Sequence, residues 1–364
     1  MSTADGLVET FLELVALDGP SGRERMVADF VRARLEALGL EVHEDGAGAA
    51  TGGNCGNLVC TWQGGGRWAL VAHLDTVQPT AGLAPRRLPD RIAADPAGIL
   101  GADDRAGVTA ILDAFEHHVA VGGGPATALF TIREEVDFGG STRIEWPAAV
   151  EAAYVLDSSL RPGNWIAQGW GARHFEARVT GRAAHAGVAP ETGISAISTL
   201  ARAIGGLDWG RLGEDATSNV GTISGGSADN IVAAEARCTG EARAATAGRL
   251  EAVVGAITSG FEAAVTASGA TLELDWISGF EPYLRAAEAP WVQRLEAAMA
   301  AAGIEPRAAS TPGGSDAHVF NARGLPTINL GTGAQKPHGP EEHILLEDLA
   351  ATARLARALL AASA

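Results

Sequence analysis

Five short segments bring histidine and carboxylate side chains to places where they could do chemistry. In LVAHLDT (70–76) an apolar run delivers His73 and Asp75 two positions apart, and the two-residue period of a strand puts both on one side. Such a histidine can bind a metal through one ring nitrogen while Asp75 accepts the other N–H and fixes tautomer and orientation. GADDRAG (101–107) sets Asp103 and Asp104 directly before a helical pattern. A single carboxylate there can simply cap the helix; two of them near a histidine also offer hard oxygen donors. REEVDFGGS (133–141) holds adjacent Glu134 and Glu135, which repel each other unless something positive lies close or one takes up a proton. A metal and its water resolve the conflict, with one Glu as ligand and its neighbour as base.

YVLDSS (154–159) gives Asp157 at a further strand end, and PHGPEEHI (337–344) adds His338 and His343. Each segment alone also reads as an ordinary strand corner, cap or solvated loop. Together they gather where ligands collect in open α/β sheets, at the carboxyl ends of strands. Two histidines and three carboxylates without a thiolate suit zinc, and cobalt or manganese also fit. A spare glutamate beside two metals points to hydrolysis.

These residues need elements to hold them. Helical spacing predicts helices over 7–17, 23–38 and 107–119, and short apolar runs predict strands over 57–62, 68–72, 128–132 and 153–156. Strands alternating with helices read as an α/β layer architecture. From about 165 to 278 the rhythm changes to strand, helix, strand, strand, helix, strand, the order of a ferredoxin-like sandwich. A helix (290–302), a Gly-rich segment, a strand (327–330) and a final helix (346–361) resume the first pattern. The expected organisation is an α/β catalytic domain of mixed sheet between helices, residues 1–164 and 279–364, interrupted by an inserted α+β lid or dimerisation domain, residues 165–278. No internal repeat is evident.

Composition narrows the function classes. The 364 residues carry a formal charge of −17 and a pI near 4.9, which disfavours nucleic acid and anionic membranes as partners. Lys336 is the only lysine; the remaining basic residues are Arg, which fits either a GC-rich coding bias or a halophilic surface. Three cysteines, Cys55, Cys60 and Cys238, without CxxC spacing argue against a disulfide framework or a thiolate zinc site. The opening segment has no basic region followed by a long apolar run, so a cytoplasmic protein is expected.

Taken in order, GNLVCTW (56–62), HLDT, GADDRAG and EEVDFGGS resemble the co-catalytic zinc peptidase superfamily of peptidase T, glutamate carboxypeptidase, aminoacylase and the acetylornithine/succinyl-diaminopimelate deacylases, and most of all its peptidase-T-like branch. The resemblance runs nearly end to end. It implies that His73 and Asp157 hold one metal, Glu135 and His338 the other, and that Asp103 bridges them. It makes Asp75 the carboxylate partner of His73 and Glu134 the general base and acid, and it implies a cis peptide between Asp103 and Asp104. In the inserted domain, GRAAHAGVAPETG (181–193) resembles a segment whose histidine, here His185, crosses a dimer interface to help stabilise the tetrahedral intermediate. NVGTISGGSADNIV (219–232) resembles one whose asparagine, here Asn230, touches substrate. Arg237, and Gly313, Gly314 and Ser315 of GGSDA, fall where relatives hold the substrate's carboxylate or backbone; a surface ion pair is an equal reading for Arg237.

Two departures from the pattern stand out: Arg105 replaces a usual Lys, keeping the charge, and Asp137 adds a negative charge near the expected mouth. His43, His117, His118, His174, His318 and His343 match no metal position. The expectation is a two-zinc, homodimeric aminopeptidase acting on short peptides such as tripeptides, with closure of the lid domain limiting substrate size. The alternative is a deacylase of N-acyl amino acids with the same centre; Asp137 leans towards a cationic amine. A metal-bearing scaffold protein is the non-enzymatic reading, and the presence of Glu134 and every ligand argues against it.

Overall fold

The structure, a computed structural model, describes residues 4–361. It divides into two compact units. The first comprises Met1–Ala167, Arg285–Ala309 and Ser315–Ala364; the second comprises Gln168–Leu284 and Ser310–Gly314.

In the first unit the apolar runs Ala126–Thr131, Trp68–His73, Ala152–Ser158 and Thr327–Gly331 pair side by side, all parallel. Almost every residue in them is buried, as expected of strands covered on both faces. Leu58–Trp62 and Glu41–Glu44 extend one side antiparallel, and Asn164–Gly169 begins antiparallel to Thr327–Gly331. The helices Ala4–Val15, Arg25–Ala37, Ala102–Ala120 and Leu346–Ala361 feed one core, with Phe11, Val27, Val31, Leu35, Phe115 and Leu359 among its fully covered side chains. Val27, Val31 and Leu35 recur every fourth residue, which turns one stripe of their helix inward.

In the second unit, strands Ala216–Gly225, Glu235–Ala244, Gly171–Thr180 and Thr271–Phe280 lie in that spatial order, all antiparallel. With helices Ala196–Gly205 and Ala247–Ser268 this is the β-α-β-β-α-β arrangement read from the sequence. Ser195 and Thr246 cap the two helices by accepting the amides of Ser198 and Arg249. Among the described residues, Ala247–Ser268 is the one helix long and apolar enough to cross a membrane. Its Leu250, Val253, Ile257 and Phe261 instead share a core with Phe175 and Val179 of the sheet.

Residues 310–314 belong to the second unit because Trp170 donates its backbone N–H to the Thr311 carbonyl at 2.9 Å and its indole N–H to Ser310 Oγ at 2.9 Å. The chain therefore passes between units at Gly314–Ser315. Beyond the sequence expectations lie the helix Asp316–Ala322, the strand Arg307–Thr311 and a small antiparallel sheet built from Arg86–Arg87, Arg91–Ala93, Ala334–Gln335 and His343–Leu345. Two of that sheet's four strands are only two residues long, too short to print a period in the sequence.

Candidate metal centre

Three of the four parallel strands end at the same place. His73 closes its strand and is 1% exposed. Its Nδ1 lies 3.0 Å from the Asp75 carbonyl oxygen and 3.4 Å from the Asp75 carboxylate. Its Nε2 faces the other way, 3.1 Å from Asp103 and 3.8 Å from Asp157. The ring thus presents one nitrogen to the protein and one to the carboxylates, the orientation a metal-binding histidine needs.

Asp103 and Asp104 open the helix Ala102–Ala120, are joined by a cis peptide, and depart from helical φ/ψ. Their side chains diverge in function. Asp104 accepts the amides of Gly107 at 3.0 Å and His73 at 3.3 Å, so it caps the helix and ties it to the histidine strand. Asp103 points to the histidines. His338, in a loop with a left-handed backbone (φ 68°), places Nε2 3.0 Å from Glu135 and 3.5 Å from Asp103.

Glu134 and Glu135 start a single-turn helix, Glu134–Asp137, after the strand Ala126–Thr131. The Asp75 carboxylate holds this turn. It accepts the Glu134 amide at 3.0 Å, the Glu135 amide at 3.1 Å and the Ser21 hydroxyl at 2.6 Å. Asp75 therefore does more than face His73: its carboxylate also fixes the backbone of the two glutamates. Glu24, also buried, accepts the amides of Gly22 at 2.7 Å and Arg133 at 3.2 Å and so holds the residue just before them.

The result is two clusters that share a residue. His73, Asp103 and Asp157 form one; Asp103, Glu135 and His338 form the other; within each, the candidate ligand atoms lie within 4.8 Å of one another. His73, Glu134 and Glu135 also converge within that limit. Burial first, and the charge of Asp157 second, push the Glu134 carboxyl well above the usual range; burial and then Asp103 do the same to Asp157. For His73 burial opposes protonation, but hydrogen bonds with Asp103 and Asp75 outweigh it and raise its pKa. His338 is raised to about 10 by Asp103 and Glu135. Such a density of carboxylates facing two imidazoles asks for positive charge, and the donors are all oxygen and nitrogen. All three cysteines are buried elsewhere as free thiols. The site fits divalent cations of the kind that take N/O ligands.

Arg105 is a fully buried cation behind this cluster. It donates Nη1 to the Leu74 carbonyl, and burial lowers its pKa only to about 10 with Asp75, Asp104 and Glu24 opposing the shift. It keeps its charge. Asp137 differs from its sequence reading: Arg133 grips its carboxylate at 2.7 and 3.1 Å. That ion pair neutralises the charge expected to favour a cationic amine.

The remaining candidates stand apart from this cluster in character. His185 and Asn230 are exposed on connecting segments of the second unit, which are stitched to each other by Ala186 N–H to the Asn230 carbonyl at 2.9 Å. Arg237 is exposed and donates Nε to Ser224 at 3.1 Å. Gly314 ends the second unit, whereas Ser315 is buried in the first and donates its amide to His318 Nδ1 at 3.1 Å. His118 and His343 bond carbonyls of Gly124 and Glu341, in structural roles.

Two carboxylates escaped the sequence reading. Asp316, directly after Ser315, is buried, accepts the Thr131 hydroxyl, and adds to the negative field that raises Glu134 and Asp157. Glu342 is buried against the loop that carries Asp103. Its position four residues after His338 was the one available signal.

Comparison with known proteins identifies the family. The chain is 32% identical over 361 residues to the uncharacterized protein YqjE of Bacillus subtilis (strain 168), covering 97% of each. It is similar in structure to the aminopeptidase PepT from Bacillus cereus ATCC 10987, with a TM-score of 0.91, 31% identity and 99% of both chains covered. It is similar also to a tripeptidase from Staphylococcus aureus subsp. aureus Mu50, with a TM-score of 0.93, 29% identity, and 99% of this chain and 98% of that one covered. Residues 69–362 match the model of peptidase family M20/M25/M40, and with the cluster of His73, Asp103, Glu135, Asp157 and His338 brought together the chain belongs to that family of hydrolases, on its peptidase-T-like side.

Proposed function

We propose that the protein is a two-zinc aminopeptidase that cleaves short peptides, tripeptides foremost. The observation that carries this reading is the sharing of Asp103 between the His73–Asp157 cluster and the Glu135–His338 cluster, with Glu134 beside both. The likeness to an aminopeptidase and a tripeptidase supports the substrate class. Bound divalent metals supply Lewis acidity to the scissile carbonyl and acidify water.

The chain's own residues do the rest. Glu134, fixed through its backbone amide by Asp75, takes the proton of the attacking water and delivers it to the departing amine nitrogen as the C–N bond breaks. Asp75 orients His73 and spaces the two glutamates. Asn230, Arg237, Gly314 and Ser315 hold the peptide backbone and carboxylate, and His185, supplied by a partner chain, steadies the developing oxyanion. In this reading the inserted segment, residues 165–278, is a lid and dimerisation domain, and the enzyme works in the cytoplasm.

A panel of Ala- and Gly-based tripeptides set against N-acetyl amino acids, with zinc or cobalt added, tests the reaction. Release of the N-terminal residue from tripeptides, with N-acetyl compounds inert, is the expected result. Preferential hydrolysis of the N-acetyl compounds overturns the aminopeptidase assignment in favour of a deacylase.

A further inference from the structure

Gly101, at the N-cap of the helix Ala102–Ala120, has no side chain to cap it, and the amides that lead into the helix need acceptors. Glu342, some 240 residues further along the chain, supplies them. Its Oε2 accepts the amides of Leu100 at 2.8 Å and Gly101 at 3.0 Å, and its Oε1 accepts the Asp103 amide at 3.2 Å. A carboxylate at this end of a helix is also favoured by the helix dipole.

The same residue governs the other side of the cluster. The Glu342 amide donates to the Gly339 carbonyl at 3.0 Å, closing the turn that follows His338, and the Glu342 carbonyl accepts the Ala94 amide at 2.8 Å. Next to it, His343–Leu345 pairs with Arg91–Ala93. His338 itself is half exposed, so packing around its ring does little to fix it. One buried side chain thus joins the backbone that carries Asp103 to the backbone that carries His338.

We propose that Glu342 is a positioning residue of the metal centre: by binding the amides around Asp103 and closing the turn behind His338, it sets the separation of these two donors and with it the affinity of the Asp103–Glu135–His338 cluster for its metal. This rests on the two-metal reading above. A carboxylate one layer behind a ligand is the kind of group whose loss weakens metal binding by about 10–100-fold.

The test is a zinc titration of the full chain against a chromophoric chelator, resolving two sites, for the wild type, Glu342→Gln and Glu135→Gln. In Glu342→Gln we expect one site weakened about 10–100-fold, the same site that Glu135→Gln removes, with the other within about threefold of wild type. A merely structural role lowers both sites together, in step with the melting temperature, and that outcome overturns the proposal. So does a Glu342→Gln chain whose two sites match the wild type. A wild-type chain that binds no zinc overturns the two-metal reading, and this inference with it. If Glu342→Gln does not fold, Glu342→Asp, which keeps the charge but withdraws it by one methylene, carries the same expectation and the same refutation.

Discussion

His73 and Asp157 stand at the ends of buried parallel strands, and Glu134 is fixed by a buried carboxylate on its amide. His185 and Asn230 stand on exposed connecting segments of the second unit, where backbone bonds such as Ala186 N–H to the Asn230 carbonyl join one segment to the other. The contrast is physical. Converging like charges are costly to hold, and the first unit uses Asp75, Glu24 and Glu342 to fix the backbone beneath its candidate ligands. If His185 and Asn230 meet a substrate only as it arrives, as proposed, they need less restraint before it does. Chemistry set in advance and contacts completed on binding call for different supports.

The largest effect expected in the buried cluster is at the paired glutamates. Glu134→Gln keeps the shape but cannot take a proton, and turnover should fall by about 10²–10⁴-fold or more with metal content unchanged. Glu135→Gln should instead lose affinity for one metal. Turnover and metal content measured on both variants decide the matter; swapped consequences mean the roles of the pair are reversed.

For the exposed region, His185→Ala should cost about 10²-fold in turnover. Mixing it with a Glu134→Ala chain sharpens the comparison. Random exchange makes about half the dimers mixed, each with one site that keeps its own Glu134 and receives an intact His185, so activity should recover to about one quarter of wild type. No recovery despite proven exchange places His185 within its own chain's site or outside the reaction.

The smallest effect concerns an ion-pair network that supports the first unit without touching the site. Glu44 accepts from Arg25 and Arg32 and is held down to about 2, chiefly by the Arg25 hydrogen bond. Because its folded pKa lies below the unfolded value of 4.5, the stability it lends is full above that value and is lost as the pH falls through about 2. Glu44→Gln should cost about 2 kcal/mol in urea unfolding at neutral pH, and the gap from wild type should close on acidification below pH 4.5. A constant gap across that range contradicts the assignment.

Much of the layout was legible because the parallel strands read as apolar runs and the helices Arg25–Ala37 and Ala247–Ser268 print their buried stripes in the sequence. Three of the candidate segments were legible for a related reason: His73, the Glu134–Glu135 pair and Asp157 sit where apolar runs stop, and His73 with Asp75 keeps the strand period. What stayed hidden acts through space and leaves no period. Glu342 reaches Leu100 and Asp103 across more than two hundred residues, and Asp316 meets Thr131 across 185. Asp137 misled because its partner, Arg133, lies four residues earlier, a spacing that pairs charges only once a helical turn forms.

The central claim is a pair of metals held by His73, Asp157, Asp103, Glu135 and His338, and elemental analysis of the purified chain before and after chelation tests it most directly. The account predicts two zinc-class ions per chain, about 3.5–4 Å apart by X-ray absorption. Chelation should abolish activity and lower the melting temperature, since ions bound only in the folded state stabilise it by mass action. A chain that carries no transition metal and keeps its activity in chelator would contradict it.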